Sequence, residues 1–119
     1  MKKAFLVSLS LTAALLASAN TIAANGHALM DGVSANQKID KGEAPSYQEA
    51  VAWGYLTGLL RATSGIMQNT GGICPTGAVN KGQLLETVTT WLNRHPERLD
   101  DPDYVLVALA LAEKYPCSA

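Results

Sequence analysis

This chain of 119 residues predicts an all-α fold: a small compact helical domain built around a disulfide-linked antiparallel helical hairpin. Three observations lead there. Apolar side chains recur at helical spacing in three separate segments. Two of these segments open on a side-chain cap answered three residues later by Glu or Gln, the sequence mark of a helix start. No segment shows strand alternation bounded by hairpin turns, and two cysteines flank the last two helical segments.

In chain order, the first element is an address rather than part of the fold. Lys2 and Lys3 precede an apolar run, Ala4 to Ala17, broken only by Ser8, Ser10 and Thr12. Ala17-Ser18-Ala19 reads as a cleavage site, with Thr21-Ile22-Ala23 and Ile22-Ala23-Ala24 as neighbouring options. This is the layout of a secretory signal peptide, assigned to residues 1–24. The apolar run is too short for a membrane span, which needs roughly 20 residues, so no span is expected after cleavage. The paired basic start and short apolar core suit a bacterium, which makes the expected compartment the periplasm, where paired thiols oxidise. Losing Lys2 and Lys3 from the nine basic residues leaves seven against ten acidic ones, a net charge of −3.

Residues 25–44 are polar and glycine-containing without sustained periodicity, and read as a flexible N-terminal arm in which Ala28-Leu29-Met30 forms at most one turn. The folded domain is expected over 45–119. Ser46-Tyr47-Gln48-Glu49 is a capping box, and behind it Tyr47, Val51, Tyr55, Leu59 and Ala62 form the predicted core stripe. Gly54 and Gly58 share a face and read as a packing notch, each costing about 1 kcal/mol of helix propensity relative to alanine. Thr70-Gly71-Gly72 ends this helix. Asn80 caps the next, with Gln83 completing the box and Leu84, Leu85, Val88, Trp91 and Leu92 as its apolar stripe. It should stop near Arg94, because Pro96 biases His95 away from helical angles. Asp101 followed by Pro102 reads as a cap with proline at the first helical position. The run Tyr104 to Ala112 is almost all Val, Leu and Ala, so the last helix is expected to be buried on most sides, and Pro116 closes it.

Cys74 precedes the second of these helices and Cys117 follows the third. Two helices of near-equal length, roughly 21 Å each, joined by a short reversal form an antiparallel hairpin whose free ends carry the cysteines. Periodicity and compartment therefore both predict a Cys74–Cys117 disulfide. Closing that loop should stabilise the fold by about 4 kcal/mol in the chain-entropy model. Redox catalysis would need close-spaced cysteines and an exposed thiolate, and these two lie 43 positions apart.

Other chemistry finds little support. A net charge of −1 for the whole chain leaves no basic surplus for phosphates, so a nucleic-acid partner is not expected. Aromatic residues make up 6% of the chain, too few for stacking platforms. His27 sits in the expected arm and His95 in the reversal, without metal-ligand spacing, and His95 lies about 20 Å from Cys74 along the hairpin, too far for a nucleophile–base pair. Thr70-Gly71-Gly72 lacks the lysine of a phosphate loop. Asp100, Asp101 and Asp103 cluster at a helix start, where the dipole favours anions; they read as capping and solvated groups, with a weak calcium site or a charged contact patch as alternatives. Trp53 and Trp91 are expected in the core. No cofactor is expected.

Read in order, Cys74-Pro75, Gly82-Gln83-Leu84, Trp91-Leu92, His95-Pro96-Glu97, Leu99, Ala108-Leu109 and Tyr115-Pro116-Cys117 closely resemble the Rap/Tai family of type VI secretion immunity proteins. Gly54-Tyr55-Leu56-Thr57-Gly58 is similar to a further segment of that family, so the resemblance spans residues 46–117. One departure stands out. Many members carry a second bridge with a cysteine shortly before that tyrosine, and here the stretch is Ala50-Val51-Ala52-Trp53.

The resemblance implies a periplasmic, all-helical, non-enzymatic protein, the immunity half of a toxin–antitoxin pair. Its partner would be a secreted cysteine-peptidase amidase that cuts peptidoglycan stems, bound so that the active-site cleft is blocked. Homodimers are common in the family. The motif residues themselves read as structural: bridge, caps and reversal. Effector contacts are therefore expected in protruding polar loops, at Asn69 and Thr70 and at Asn93, Arg94, Glu97, Arg98, Asp100, Asp101 and Asp103. The residues leave open a second reading, a small periplasmic acid-stress chaperone of the helical, single-disulfide type. With two histidines and moderate charge, an acid-triggered switch is the less natural of the two.

Overall fold

The computed structural model describes residues 24–118. The expected signal peptide therefore lies outside the described residues apart from Ala24. Four α-helices follow one another among them: α1 Gly26–Asp40, α2 Tyr47–Thr70, α3 Lys81–Arg94 and α4 Asp103–Lys114, with a 3-10 turn Pro96–Arg98 between the last two. The one strand-like pairing among the described residues is an isolated bridge between Asn25 and Pro102.

The segment 25–44 is mostly helix, not a flexible arm. The Asn25 side chain caps α1 by accepting from the His27 amide at 3.1 Å. Leu29, Gly32, Val33 and Ala35 face inward and are buried against α2, the neighbour α1 contacts most. Gly32 sets the spacing: a Cβ there would lie 2.7 Å from the Leu56 Cβ and 2.8 Å from the Ala52 carbonyl oxygen. Small residues hide this helix from a periodicity reading, because closeness of approach replaces side-chain bulk. Polar links complete the pairing. Lys38 Nζ reaches Glu49 at 2.8 Å, and Trp53 Nε1 donates to Asn36 at 2.9 Å.

Helix α2 opens on the expected capping box: the Glu49 amide donates to Ser46 Oγ at 3.2 Å and the Ser46 amide to Glu49 Oε1 at 3.1 Å. Its end is a glycine stop, with Gly71 at φ 76° and the Gly72 amide closing on the Met67 carbonyl at 2.7 Å. Most of the predicted core stripe is on the wrong side; of its members only Leu59 packs against the core. The buried residues are Leu56, Thr57, Leu60 and Ser64, whereas Tyr47 (83% exposed), Val51 (54%) and Tyr55 (45%) face outward. Nor do Gly54 and Gly58 form a notch within the chain, since a Cβ added at either would meet nothing within 4 Å. Trp53 is only half-buried.

Helix α3 follows the sequence closely. Asn80 and Gln83 bond reciprocally, both at 2.9 Å, and Leu84, Val88, Trp91 and Leu92 are buried. The His95 ring stacks on Trp91 with centroids 4.0 Å apart, and its Nδ1 donates to the Trp91 carbonyl at 2.8 Å. Helix α4 departs in two ways. Asp101 does not cap it but pairs with Arg98 Nε at 2.8 Å, leaving the helix start without a side-chain cap. Nor is it buried on most sides. Leu106, Val107, Ala110 and Leu111 enter the core while Tyr104 and Leu109 are exposed. One core results, with Leu29 and Val33, Leu56 and Leu60, Ile73, and the inner faces of α3 and α4 in a single cluster.

The Cys74–Cys117 disulfide is present, with Cα atoms 4.8 Å apart. It fastens the chain just past α2 to the chain just past α4. The Cys74 amide donates to the Tyr115 carbonyl at 2.9 Å, and Cys117 Sγ lies 3.4 Å from the Gly71 carbonyl oxygen. Trp91 Nε1 and Arg94 Nη2 donate to Glu113 at 3.0 and 2.9 Å, which sets the last turn of α3 beside the last turn of α4. An end-to-end antiparallel register would have set Arg94 beside Asp103.

Candidate partner-binding surface

At 100° per residue, the line of α2 opposite its buried side carries Tyr47, Val51, Gly54, Gly58, Ala62, Gly65 and Asn69, with Tyr55 and Ile66 on one flank and Arg61 on the other. A surface helix ordinarily places its charged residues on this side. Here the central line holds none from Tyr47 to Asn69, although Arg61 flanks it, and Ile66 is 63% exposed. Above Gly54, Gly58 and Gly65 the space is open, with no atom within 4 Å of where a Cβ would stand. Both sides of α2 are therefore apolar or small, and one of them is bare.

Beside the amino half of this face lies a shallow apolar cavity of about 350 Å³ between α1 and α2, walled by Ala28, Asp31, Tyr47, Val51, Ala52 and Tyr55. Its shape is set from beneath. The Tyr55 hydroxyl donates to Oδ2 of Asp103, and Asp103 Oδ1 accepts from the Tyr104 amide at 2.7 Å. Through that hydrogen bond to a carboxylate, with some loss of solvent, the Tyr55 phenol is pushed up to about 12. The ring is thus tethered in position as a wall. A second, more polar cavity of about 650 Å³ lies between α3 and α4 and includes Trp91, Arg94 and Glu113. Trp91 and Arg94 each donate to Glu113, and the Arg94 guanidinium and then the Trp91 N–H hold the Glu113 carboxyl below the usual carboxylate range.

The loop residues expected to meet an effector do not converge. Asn69 and Thr70 are exposed at the end of α2, where Thr70 Oγ1 donates to the Ile66 carbonyl at 2.8 Å. The 93–103 group is itself spread out: Asp103, level with Tyr55, lies about 22 Å along α2 from them, whereas Arg94 is paired with Glu113 in the last turn of α4. Within that group Asn93 and Glu97 are exposed. Arg94 is paired with Glu113, Arg98 with Asp101, and Asp100 with His27 Nε2 at 3.0 Å, which also takes His27 out of any mobile arm. Asp103, at 4% exposure, is a buried acceptor rather than a contact residue. No group of three or more His, Cys, Asp or Glu side chains that could hold a metal ion occurs among the described residues. No helix among them is long and apolar enough to cross a membrane. The residues sequence reasoning missed are Ile66, Gly65 and the apolar wall. Their signal was present as a second stripe, but inward and outward stripes have the same period.

A family model described as Rap1a immunity proteins matches residues 22–117. No curated protein and no solved structure matches the chain.

Proposed function

The chain belongs to the Rap1a immunity protein family, and from that premise we propose that it protects its producer by binding a type VI secretion effector, a peptidoglycan amidase of the cysteine-peptidase class, in the periplasm. The complex blocks the amidase active-site cleft, the immunity chain itself performs no catalysis, and two copies act together. The observation that carries this reading is the family match, which runs through the whole helical domain from residue 22 to residue 117.

The geometry supplies a means. Occluding a cleft calls for a polar protrusion that is already rigid, because each side chain ordered on binding costs about 0.5–1.5 kcal/mol. The turn Pro96–Arg98 is polar, largely exposed and braced by its neighbours. It is anchored by His95 on Trp91, by Arg98 on Asp101, and by Asp100 on His27. Glu97 and Asn93 stand exposed on it and beside it, and are the contact residues favoured here; Arg98, Asp100 and Asp101 hold its shape. Asn69 and Thr70 belong to a separate edge.

The test is titration of the oxidised chain against a purified cysteine-peptidase amidase from the neighbouring gene, where that gene encodes one, with release of peptidoglycan stem peptides as the readout. Activity should fall linearly and vanish at a fixed molar ratio. Glu97→Arg should raise the amount of chain required without shifting its melting temperature. Full amidase activity at a large excess of the chain would refute the reading.

A further inference from the structure

Given the periplasmic destination proposed above, on which this inference rests, we propose that the signal peptide is removed at the bond between Ala19 and Asn20. The exported chain then keeps residues 20–24 ahead of α1. Nothing about the amidase enters.

The residues alone leave three bonds open, after Ala19, after Ala23 and after Ala24. The peptidase that removes a signal peptide reads small side chains at the first and third residues before the cut. Those are Ala19 and Ala17 for the first bond, Ala23 and Thr21 for the second, and Ala24 and Ile22 for the third. Only the first has alanine at both.

The fold weighs against the other two. Ala24 is already part of the domain, since its carbonyl oxygen accepts from the Asp103 amide at 3.2 Å. The next residue, Asn25, caps α1 through the His27 amide at 3.1 Å and bridges to Pro102. Gly26 then is buried, and a Cβ there would lie 2.8 Å from Leu99 Cα. A cut after Ala24 takes away the accepting carbonyl and strands the amide of Asp103, a residue only 4% exposed. It also turns the capping residue into a charged amino terminus. A cut after Ala23 keeps the carbonyl but sets the new ammonium on Ala24, directly before the cap. Either charge stands at the positive end of the α1 dipole. The first turn of α1 offers no acidic side chain against it, and Asp100 is already paired with His27. A cut after Ala19 sets the charge five residues ahead of Asn25 and leaves each of these contacts whole. The family match points the same way. It begins at residue 22, so the second and third bonds lie inside the matched segment and the first lies outside it.

The step is an amide hydrolysis. Water adds its oxygen to the Ala19 carbonyl carbon, the bond to the Asn20 nitrogen breaks, and the products are a carboxylate on the signal peptide and an ammonium on Asn20.

The test is expression of the full chain in a bacterium, fractionation, and intact-mass measurement of the periplasmic form. Its mass should equal residues 20–119 with the Cys74–Cys117 bridge closed. Ala19→Leu should abolish the product that begins at Asn20, whereas Ala24→Leu should leave it unchanged. Refolded, oxidised chains beginning at Asn20 and at Asn25 compare the clasp directly, and the shorter should melt roughly 4–8 °C lower. A periplasmic product that begins at Ala24 or Asn25 would overturn the assigned bond and leave the compartment standing. Equal melting temperatures would overturn the role given to Ala24, and the choice of bond with it. A chain that is never exported would overturn this proposal together with the periplasmic reading.

Discussion

The two sides of α2 are nearly alike in composition and opposite in fate. One carries Leu56, Leu60 and Ser64 and lies in the core; the other carries Tyr47, Val51, Gly54, Gly58 and Ala62 and lies in solvent. What separates them is the shape of the neighbours rather than hydrophobicity. Helix α1 comes close because Gly32 fits against Leu56 and Ala52, and that approach claims the leucine side. The bulkier aromatic side is left without a partner in the chain. Helical periodicity marks both sides of α2 as apolar, and only the fit of a neighbouring helix decides which of them enters the core.

The strongest challenge to the inner side is to release the bridge that pins the end of α2. Replacing Cys74 and Cys117 with serine should lower unfolding stability in urea by about 4 kcal/mol, with the bare side contributing nothing to the change. Next comes a matched pair of truncations. Leu60→Ala should cost about 3 kcal/mol, as buried leucine truncations do. Val51→Ala, on the exposed side, should stay within about 0.5 kcal/mol. Equal costs would erase the distinction drawn here.

Glycines sharpen the comparison further. Gly32→Ala forces a Cβ into backbone and should destabilise by about 2 kcal/mol through overpacking. Gly58→Ala meets open space and should gain roughly 0.5–1 kcal/mol of helix propensity. Opposite signs in chemical denaturation are the expected result.

The smallest effect concerns Tyr55, at the border between the sides. Its folded-state phenol is raised to about 12 by the bond to Asp103. The associated stability is complete below pH 10 and is lost as pH rises from 10 towards 12. Tyr55→Phe should cost about 1 kcal/mol at neutral pH and flatten the melting temperature over that alkaline window. At the acid end the sign reverses. Glu49 is held low by Lys38 and then by Ser46, and Glu113 by Arg94 and then Trp91, so their contributions fade as pH falls through the carboxylate range.

Much of the fold could be read directly from the residues. Both capping boxes, the glycine stop at Gly71 and the buried stripe of α3 stand where local chemistry puts them, since each rests on partners within four residues or so. The sulfur pairing was legible too, although the hairpin register offered for it does not match the Arg94–Glu113 contact. What escaped was tertiary. Helix α1 is held by close approach at Gly32, which leaves no bulky periodic signal, and the choice between two stripes on α2 depends on that same contact. Asp103 illustrates the limit at the site: an acidic cluster at a helix start looks solvated until Tyr55, from a distant helix, takes one of its members inside.

One small feature has a large bearing on how the molecule comes together. The start of α1 is clasped by the start of α4: the Asp103 amide donates to the Ala24 carbonyl at 3.2 Å, Asn25 bridges to Pro102, and Gly26 abuts Leu99. Helix α1 has its main partner in α2, the next helix along, yet its first turn stays unclasped until residues 99–103 are in place, so the amino end of the domain is the last part to be fastened.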